Sequence, residues 1–397
     1  MRSSRAAGDY PLGMHHPFED LDAADYALPE ELAGRLLTPA LVIDSARVRW
    51  NIERVLERLG GDPGRWRPHV KTTKIPEVWR LLVEAGVRQF KCATTREADE
   101  LLSTLEECGV RGDVLLAYPL RPPALERLGQ VADAHPDSCV SVLCEDPEVV
   151  PEIPSGVGVF VDLNPGMDRT GLPPGSIDQI RGVVTAAGPR LRGLHWYDGH
   201  RYEPDQGLRR SRVHSGYADL VALMGAVDLP DSLEVITAGT PAFLAAAERG
   251  PLQEVKGVTH RLSPGTVVFH DARSAEQNPD LDLRPAAVVL ARVVSHPGPA
   301  RVTCDAGSKS VAAEAGDPIA RVIGHPELEA ETPSEEHLPL RVTSGERPAR
   351  GTILSLAPYH VCPTVNLAEE ALWLEDGEAR VVRVTARAHE LLVPRSS

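Results

Sequence analysis

Apolar positions keep one rhythm along most of the chain and change it near residue 279, and this change predicts two regions. After Thr38-Pro39, the run Ala40-Leu41-Val42-Ile43-Asp44 is short and apolar, as a buried strand is. Ser45 then reads as the cap of a helix whose Val48, Ile52, Val55, Leu56 and Leu59 recur at helical spacing, and Gly60-Gly61 stops it. From Arg67 onward, short apolar runs alternate with amphipathic ones. Strands are predicted at Arg67 to Lys71, Gln89 to Ala93, Asp113 to Ala117, Cys139 to Leu143, Val157 to Leu163, Leu191 to Tyr197, Leu233 to Thr237 and Arg261 to Phe269. Helices fit between them, for example Thr95 to Cys108 with Ala98, Leu101, Leu102 and Leu105 on one face, and Arg209 to Met224. Eight βα units over roughly 200 residues predict a (β/α)8 TIM-like barrel, with functional groups at the strand C-termini.

Beyond Asn278-Pro279 the apolar runs are short, β-branched and closely spaced, with Gly and Pro between: Ala286 to Val294, Arg301 to Cys304, Leu338 to Val342, Thr352 to Leu356 and Ala379 to Thr385. This predicts a C-terminal antiparallel β domain. Residues 324–337 are acidic and contain Pro, and read as a loop. The expected division is an N-terminal extension over 1–37 with its first dozen residues disordered, a barrel over 38–278 and a β domain over 279–397.

Charge narrows the partners. Lys plus Arg number 42 against 57 Asp plus Glu, a formal net charge of -15, which disfavours nucleic acid or an anionic membrane. An anionic ligand must then be held by local groups. Six cysteines (Cys92, Cys108, Cys139, Cys144, Cys304, Cys362) are scattered without a CxxC or a regular framework, as in a reducing compartment. The N-terminus lacks the apolar core of a signal peptide, and no run approaches the roughly 18 apolar residues of a membrane span. Cytoplasmic residence is the expectation.

The candidate chemistry sits at predicted strand ends. Arg67-Pro68-His69-Val70-Lys71-Thr72-Thr73-Lys74 places Lys71 where a strand ends, with Ile75-Pro76 starting a helix behind it. An amine there can form a Schiff base with a carbonyl cofactor such as pyridoxal phosphate. On the residues alone, Lys71 and Lys74 read equally as solvated lysines after a strand. Gly239 and Thr240, followed by Pro241, read as a helix start able to receive an anion, or as a plain tight turn. In Tyr197-Asp198-Gly199-His200, with His195 on the same stretch, His200 is a candidate acid or base, or a histidine satisfied by a turn carbonyl. His360 and Cys362, two apart on a segment read as extended, would share a face and could bind one ion through N and S donors, which suits Zn²⁺. A buried cysteine beside a β-domain histidine is the other reading.

Taken in order, Arg67-Pro68-His69-Val70-Lys71, Asp162-Leu163-Asn164-Pro165-Gly166-Met167-Asp168-Arg169-Thr170-Gly171, Tyr197-Asp198-Gly199-His200, Ala238-Gly239-Thr240 and His360-Val361-Cys362-Pro363-Thr364-Val365-Asn366-Leu367 form a recognisable series. From about Thr38 to Ala388 the chain resembles the D-threonine aldolase and D-serine dehydratase family, pyridoxal-phosphate enzymes of the alanine racemase fold type. The resemblance implies that Lys71 carries the cofactor as an internal aldimine and that Arg169 faces its phenolic oxygen. It further implies that Tyr197 borders the ring, that Gly239 and Thr240 meet the phosphate, and that His360 and Cys362 bind a divalent metal, zinc ahead of manganese or magnesium. A homodimer is implied as well. Two departures stand out: Thr73 replaces the family's usual histidine, which bears on substrate preference, and Asn164-Pro165 precedes the glycine of the arginine motif.

The expected activity is a lyase acting on D-3-hydroxy amino acids, by retro-aldol cleavage of a D-threonine-like substrate to glycine and an aldehyde. The metal would grip the 3-hydroxyl and His200 would take its proton. Dehydration of a D-serine- or D-threonine-like substrate uses the same residues. An amino-acid racemase and a non-catalytic pyridoxal-phosphate carrier are further readings, and the complete β domain with His360 and Cys362 argues against the carrier.

Overall fold

The computed structural model describes residues 17–391 apart from Arg249, so the disorder expected of the first dozen residues lies outside the described residues. The chain forms two compact units, Met1–Asn51 with Val268–Val384 and Ile52–Val267 with Thr385–Ser397. Each unit is thus discontinuous in sequence, and residues 38–51 and 268–278, expected in the barrel, group with the β strands instead. Pattern alone could not show this, because a run such as Ala40–Asp44 announces burial without naming its partners.

In the barrel unit, seven parallel strands follow one another in chain order: Gln89–Cys92, Asp113–Pro119, Cys139–Cys144, Gly158–Leu163, Leu191–Trp196, Leu233–Thr237 and Val258–Leu262. The eighth position is filled by Trp66–Val70, which forms no regular strand because Pro68 has no N–H to donate. Trp66 pairs with Leu262 and His69 with Lys91, both parallel. Arg67 N–H donates to Leu262 O at 2.8 Å and Val70 N–H to Lys91 O at 2.7 Å. The segment therefore links the last strand to the first and closes the ring. The strand expected at Arg261 to Phe269 ends at Leu262, and Thr266–Val268 is a 3-10 turn. Pro264 cannot extend the ladder, and at Gly265 a Cβ would lie 2.3 Å from His69 O.

The N-terminal ends of these strands are tied by Arg67. Its fully buried guanidinium donates from Nε and Nη2 to the two oxygens of Glu234 at 2.6 and 2.8 Å, and from Nη1 to Asp113 Oδ1 at 3.1 Å. Leu115, Leu143, Phe160 and Ile236 form an apolar cluster in the same unit. Thr94 caps the helix Thr95–Glu107 by accepting Glu97 N–H at 3.0 Å, and Asp205 caps Gln206–Ala226 through Leu208 N–H at 2.7 Å.

The β unit is built on the twelve-residue strand Ala287–Gly298, antiparallel to Ala40–Asp44, Arg301–Cys304 and Ile353–Pro358. Ala40–Asp44 also pairs in parallel with Glu370–Glu375, which turns back into Glu378–Arg383. Asp376 and Gly377 make that turn with φ of 50° and 82°, the two-residue form that matches strand twist. Val42, Val288, Leu290, Ile323, Ala357 and Leu372 share one core, with Phe18 and Tyr26 packed in. After Ala40–Asp44 comes the helix Ser45–Arg58, and its cap is Asp44, not Ser45: Arg47 N–H donates to Asp44 Oδ1 at 3.0 Å. The acidic stretch read as a loop over 324–337 contains the strand Leu328–Ala330, too short to show alternation. No helix among the described residues is long and apolar enough to cross a membrane.

Candidate active site

Lys71 follows the His69–Lys91 bridge in a tight turn closed by Thr73 N–H and Lys74 N–H, both donating to Val70 O. Its own N–H points to His69 Nδ1 at 3.4 Å and the residue is half-buried. It is therefore at the C-terminal end of the closing segment, as expected. Lys74 is a different kind of residue. It is buried with φ of 53°, and its ammonium donates to Glu97 Oε1 at 2.5 Å and to Ala386 O at 3.3 Å. Thr73 is buried too, and its hydroxyl oxygen accepts the indole N–H of Trp79 at 2.8 Å.

Alternation along the strand Leu191–Trp196 and the residue beyond it sends His195 and Tyr197 to one side. Their rings are parallel, with centroids 6.4 Å apart. Tyr197 lies where Gly199 and Gly239 leave room: a Cβ on Gly239 would come within 2.9 Å of its ring. The Arg169 guanidinium sits 4.9 Å from the centre of that ring and the Lys91 amine 5.3 Å from it. Arg169 reaches this position from an exposed loop shaped by Asn164, whose Oδ1 accepts the N–H groups of Gly166 and Asp168 at 3.0 Å each.

Asp198 is buried, and burial pushes its carboxyl up to about 6 against the hydrogen bonds it accepts. One comes from Tyr217 OH at 2.9 Å, and the N–H of Gly239 is directed at the same carboxylate. The backbone donor expected to serve a phosphate at Gly239 thus already serves an acid. His200 packs beside Gly166. Burial, then the Arg201 charge, holds its imidazole below the ordinary histidine range. Its Nδ1 is among the buried polar atoms without a hydrogen-bond partner among the described residues, as is Asp162 Oδ2.

Sequence reasoning passed over Lys91, Ser263 and Asp162 as functional groups. Lys91 is 2% exposed, with Nζ 2.6 Å from Ser263 Oγ and 3.3 Å from His195 Nε2, and His195 Nδ1 lies 2.7 Å from Asp162 Oδ1. Burial, with Lys71 and Arg169 nearby, pushes the Lys91 amine down to about 7. The available signal was a lysine between Phe90 and Cys92, inside a strand predicted to be buried.

In the β unit, His360 is not on an extended segment with Cys362. It is the N-cap of a short helix, Val361–Leu367, whose first N–H donates to Asp271 Oδ2 at 3.0 Å. The two side chains meet even so. Burial opposes the His360 charge, but the hydrogen bond to Cys362 and the charges of Cys362 and Asp271 push the imidazole up to about 9, and Glu314 Oε1 holds its Nδ1. Among the described residues no group of three or more His, Cys, Asp or Glu is placed to hold a metal. His360 and Cys362 supply two donors, an imidazole and a thiol, of the kinds zinc takes. The barrel residues fit a covalently held aldehyde cofactor: a half-exposed lysine at a strand end, an aromatic ring under a guanidinium, and orphaned acid and imidazole atoms.

Residues 43–269 match the family described as "Alanine racemase, N-terminal domain", and residues 286–374 match a serine dehydratase domain. The chain belongs to the alanine racemase N-terminal domain family. A member similar to it is the D-threonine aldolase of Arthrobacter sp., 28% identical over 371 residues, covering 88% of this chain and 92% of that protein. The D-threo-3-hydroxyaspartate dehydratase of Delftia sp. strain HT23 is 28% identical over 278 residues, 65% of this chain and 68% of that one. Among solved structures of the family, D-threonine aldolase from Filomicrobium marinum superposes with a TM-score of 0.76 at 25% identity, over 90% of this chain and 97% of its own. The relatives to which the chain is similar are named as an aldolase and a dehydratase, both pyridoxal-phosphate-dependent lyases.

Proposed function

We propose that the chain is a lyase of D-3-hydroxy amino acids, cleaving a D-threonine-like substrate to glycine and an aldehyde. The observation that carries the reading is Lys71, a half-exposed amine at the C-terminal end of the barrel's closing segment. The similarity to an aldolase across 88% of the chain favours cleavage over other chemistry. Pyridoxal phosphate, when bound, supplies the aldehyde and a ring that withdraws electrons from an amino acid's Cα.

Lys71 would hold that cofactor, with Arg169 and Tyr197 flanking it and Thr240 toward its phosphate, while Gly239, whose N–H serves Asp198, leaves room beside Tyr197. Arg169 contributes a fixed positive charge over the Tyr197 face. His200 is kept neutral by burial and by Arg201, so its ring can accept the proton from the substrate's 3-hydroxyl oxygen as the Cα–Cβ bond breaks. His360 and Cys362 would hold a divalent ion, and their N and S donors suit zinc better than manganese or magnesium. A homodimer completes the reading by resemblance, and sedimentation equilibrium tests it; cytoplasmic residence is the expectation from the N-terminal composition.

Dehydration is the second reading, favoured by the serine dehydratase match and the Delftia relative. There Lys71 takes the Cα proton, the 3-hydroxyl leaves as water, and a 2-oxo acid and ammonia result. Incubating purified protein and pyridoxal phosphate with D-threonine, D-serine and D-3-hydroxyaspartate, then assaying glycine and 2-oxo acids, separates the two. No product from any of them rejects both.

A further inference from the structure

Lysines inside proteins are normally neutralised by a carboxylate, since an unpaired buried charge is costly. Lys74 obeys this rule through Glu97. Lys91 does not. Both hydrogen-bond partners of its amine are neutral acceptors: Ser263 Oγ, whose own hydroxyl is turned to Ala238 O at 2.9 Å, and His195 Nε2. The Nε2 atom is an acceptor because Asp162 Oδ1 can only accept from Nδ1, which places the imidazole proton there. Asp162 is thus reached only through the ring, in the order amine, imidazole, carboxylate.

The surroundings of the amine are mixed in charge. From the closing segment come His69, whose imidazole burial and the Lys71 charge keep well below its ordinary range, and Lys71 itself. From the strand Gly158–Leu163 and its loop come Asp162 and Arg169, and after the strand Leu191–Trp196 come the Tyr197 ring and Asp198. Two cations and two acids surround one amine, and among the described residues no carboxylate is hydrogen-bonded to it.

We propose that Lys91 is a further positioning residue of this active site: acting through His195, it fixes the imidazole as the Nδ1–H form toward Asp162 and places a charge that switches with pH beneath Tyr197. The proposal rests on the reading of Lys71 and Tyr197 as the cofactor site. A residue placed merely to fill the strand interior would carry no such switch. With the ammonium protonated, His195 Nε2 accepts a charged hydrogen bond and the site carries one more positive charge beside Lys71. When the amine loses its proton to solvent, that charge and the lock on Nε2 weaken together.

The test uses the full chain, and its first readout needs no cofactor. Nitrogen NMR of the His195 ring should show Nδ1 protonated throughout and an Nε2 resonance that moves with a midpoint near pH 7. In Lys91→Arg, whose charge is permanent, the Nε2 shift should stay at its low-pH position, and in Lys91→Met the movement should vanish. A wild-type Nε2 resonance that is static through that range, or one that titrates identically in Lys91→Met, overturns the proposal. The second readout is the visible spectrum after adding pyridoxal 5'-phosphate. A midpoint near pH 7 in that spectrum should be lost in both Lys91→Arg and Lys91→Met, since neither carries a titrating amine there; an unchanged midpoint in both overturns the proposal. If no visible band forms in the wild type, the cofactor reading fails, and the NMR titration still decides the role of Lys91.

Discussion

Two of the barrel's buried cations, Arg67 and Lys91, lie on neighbouring segments and are treated in opposite ways. Arg67, at the N-terminal end of the strands, is met by both oxygens of Glu234 and by Asp113. Burial disfavours its charge, yet those acids outweigh burial and hold it above the ordinary arginine range. Lys91, nearer the C-terminal end, meets Ser263 and His195 among the described residues and is pushed down to about 7, by burial first. One end of the barrel therefore fixes a charge, and the other leaves one ready to change. That is the division expected between the stabilising and the reactive face of such a barrel.

The largest effect should come from the amine beside this second face. Lys71→Ala should remove the visible absorbance of bound cofactor and lower kcat/KM on the order of 10⁴-fold, the upper range for loss of an acid–base and nucleophilic group. Lys74→Ala should keep the absorbance but lower stability by about 3–5 kcal/mol, because Glu97 would be left buried and unpaired. If absorbance follows Lys74 instead, the reactive face has been assigned to the wrong lysine.

Arg67→Met comes next. It removes the buried partner of Glu234 and Asp113, which keep Arg261 at 3.2 Å and Arg192 at 3.0 Å respectively, and urea unfolding should show a loss of about 1.5–3 kcal/mol, with turnover per folded molecule unchanged. Adding Glu234→Leu should recover part of that loss. A fall in turnover without a fall in stability would erase the contrast between the two ends.

Lys91 should show its difference from Arg67 as a pH slope. Its folded pKa of about 7 lies below the ordinary value of 10.5, so the unfolded chain binds more protons between those values. Stability relative to Lys91→Met should rise with pH across that window by about 1.4 kcal/mol per unit. The penalty is fully present below pH 7 and absent above 10.5. Urea unfolding of both proteins at several pH values checks it, and parallel curves would mean the amine is not depressed.

How far this contrast could be read from the chain depends on what each residue's neighbours reveal. Lys71 was legible because Pro68 and the Ile75-Pro76 helix start mark a strand end, and the alternation of apolar runs marks the barrel. Lys91 lies inside a strand predicted to be buried, but the strand alone does not show what its amine meets; closure of the ring by Trp66–Val70 buries it beside Ser263 and His195. Ala40–Asp44 was legible as a strand but not as a member of the β sheet, since its partners Ala287–Leu290 lie about 250 residues away and no local pattern encodes register. The helix Val361–Leu367 could have been anticipated from Pro363, which suits a first helical turn. Gly239 was read for its N–H, and its want of a side chain beside Tyr197 turned out to matter as much.

Thr73 carries the smallest effect and bears on the boundary between the two faces. It stands where the family usually has histidine, two residues after Lys71, and was expected to bear on substrate preference. Its hydroxyl is instead turned inward, donating to Val70 O at 3.3 Å while accepting the Trp79 indole N–H at 2.8 Å. Thr73→Val keeps the shape and leaves that indole donor buried without an acceptor, which should cost about 1–2 kcal/mol. Thr73→Ser, which restores the hydroxyl, should recover most of it. Neither change should move the affinity for pyridoxal phosphate, measured by the visible absorbance at increasing cofactor. A several-fold weaker affinity in Thr73→Val at unchanged stability would place the hydroxyl on the reactive side of Lys71, and the fixed part of the barrel would then end before this turn.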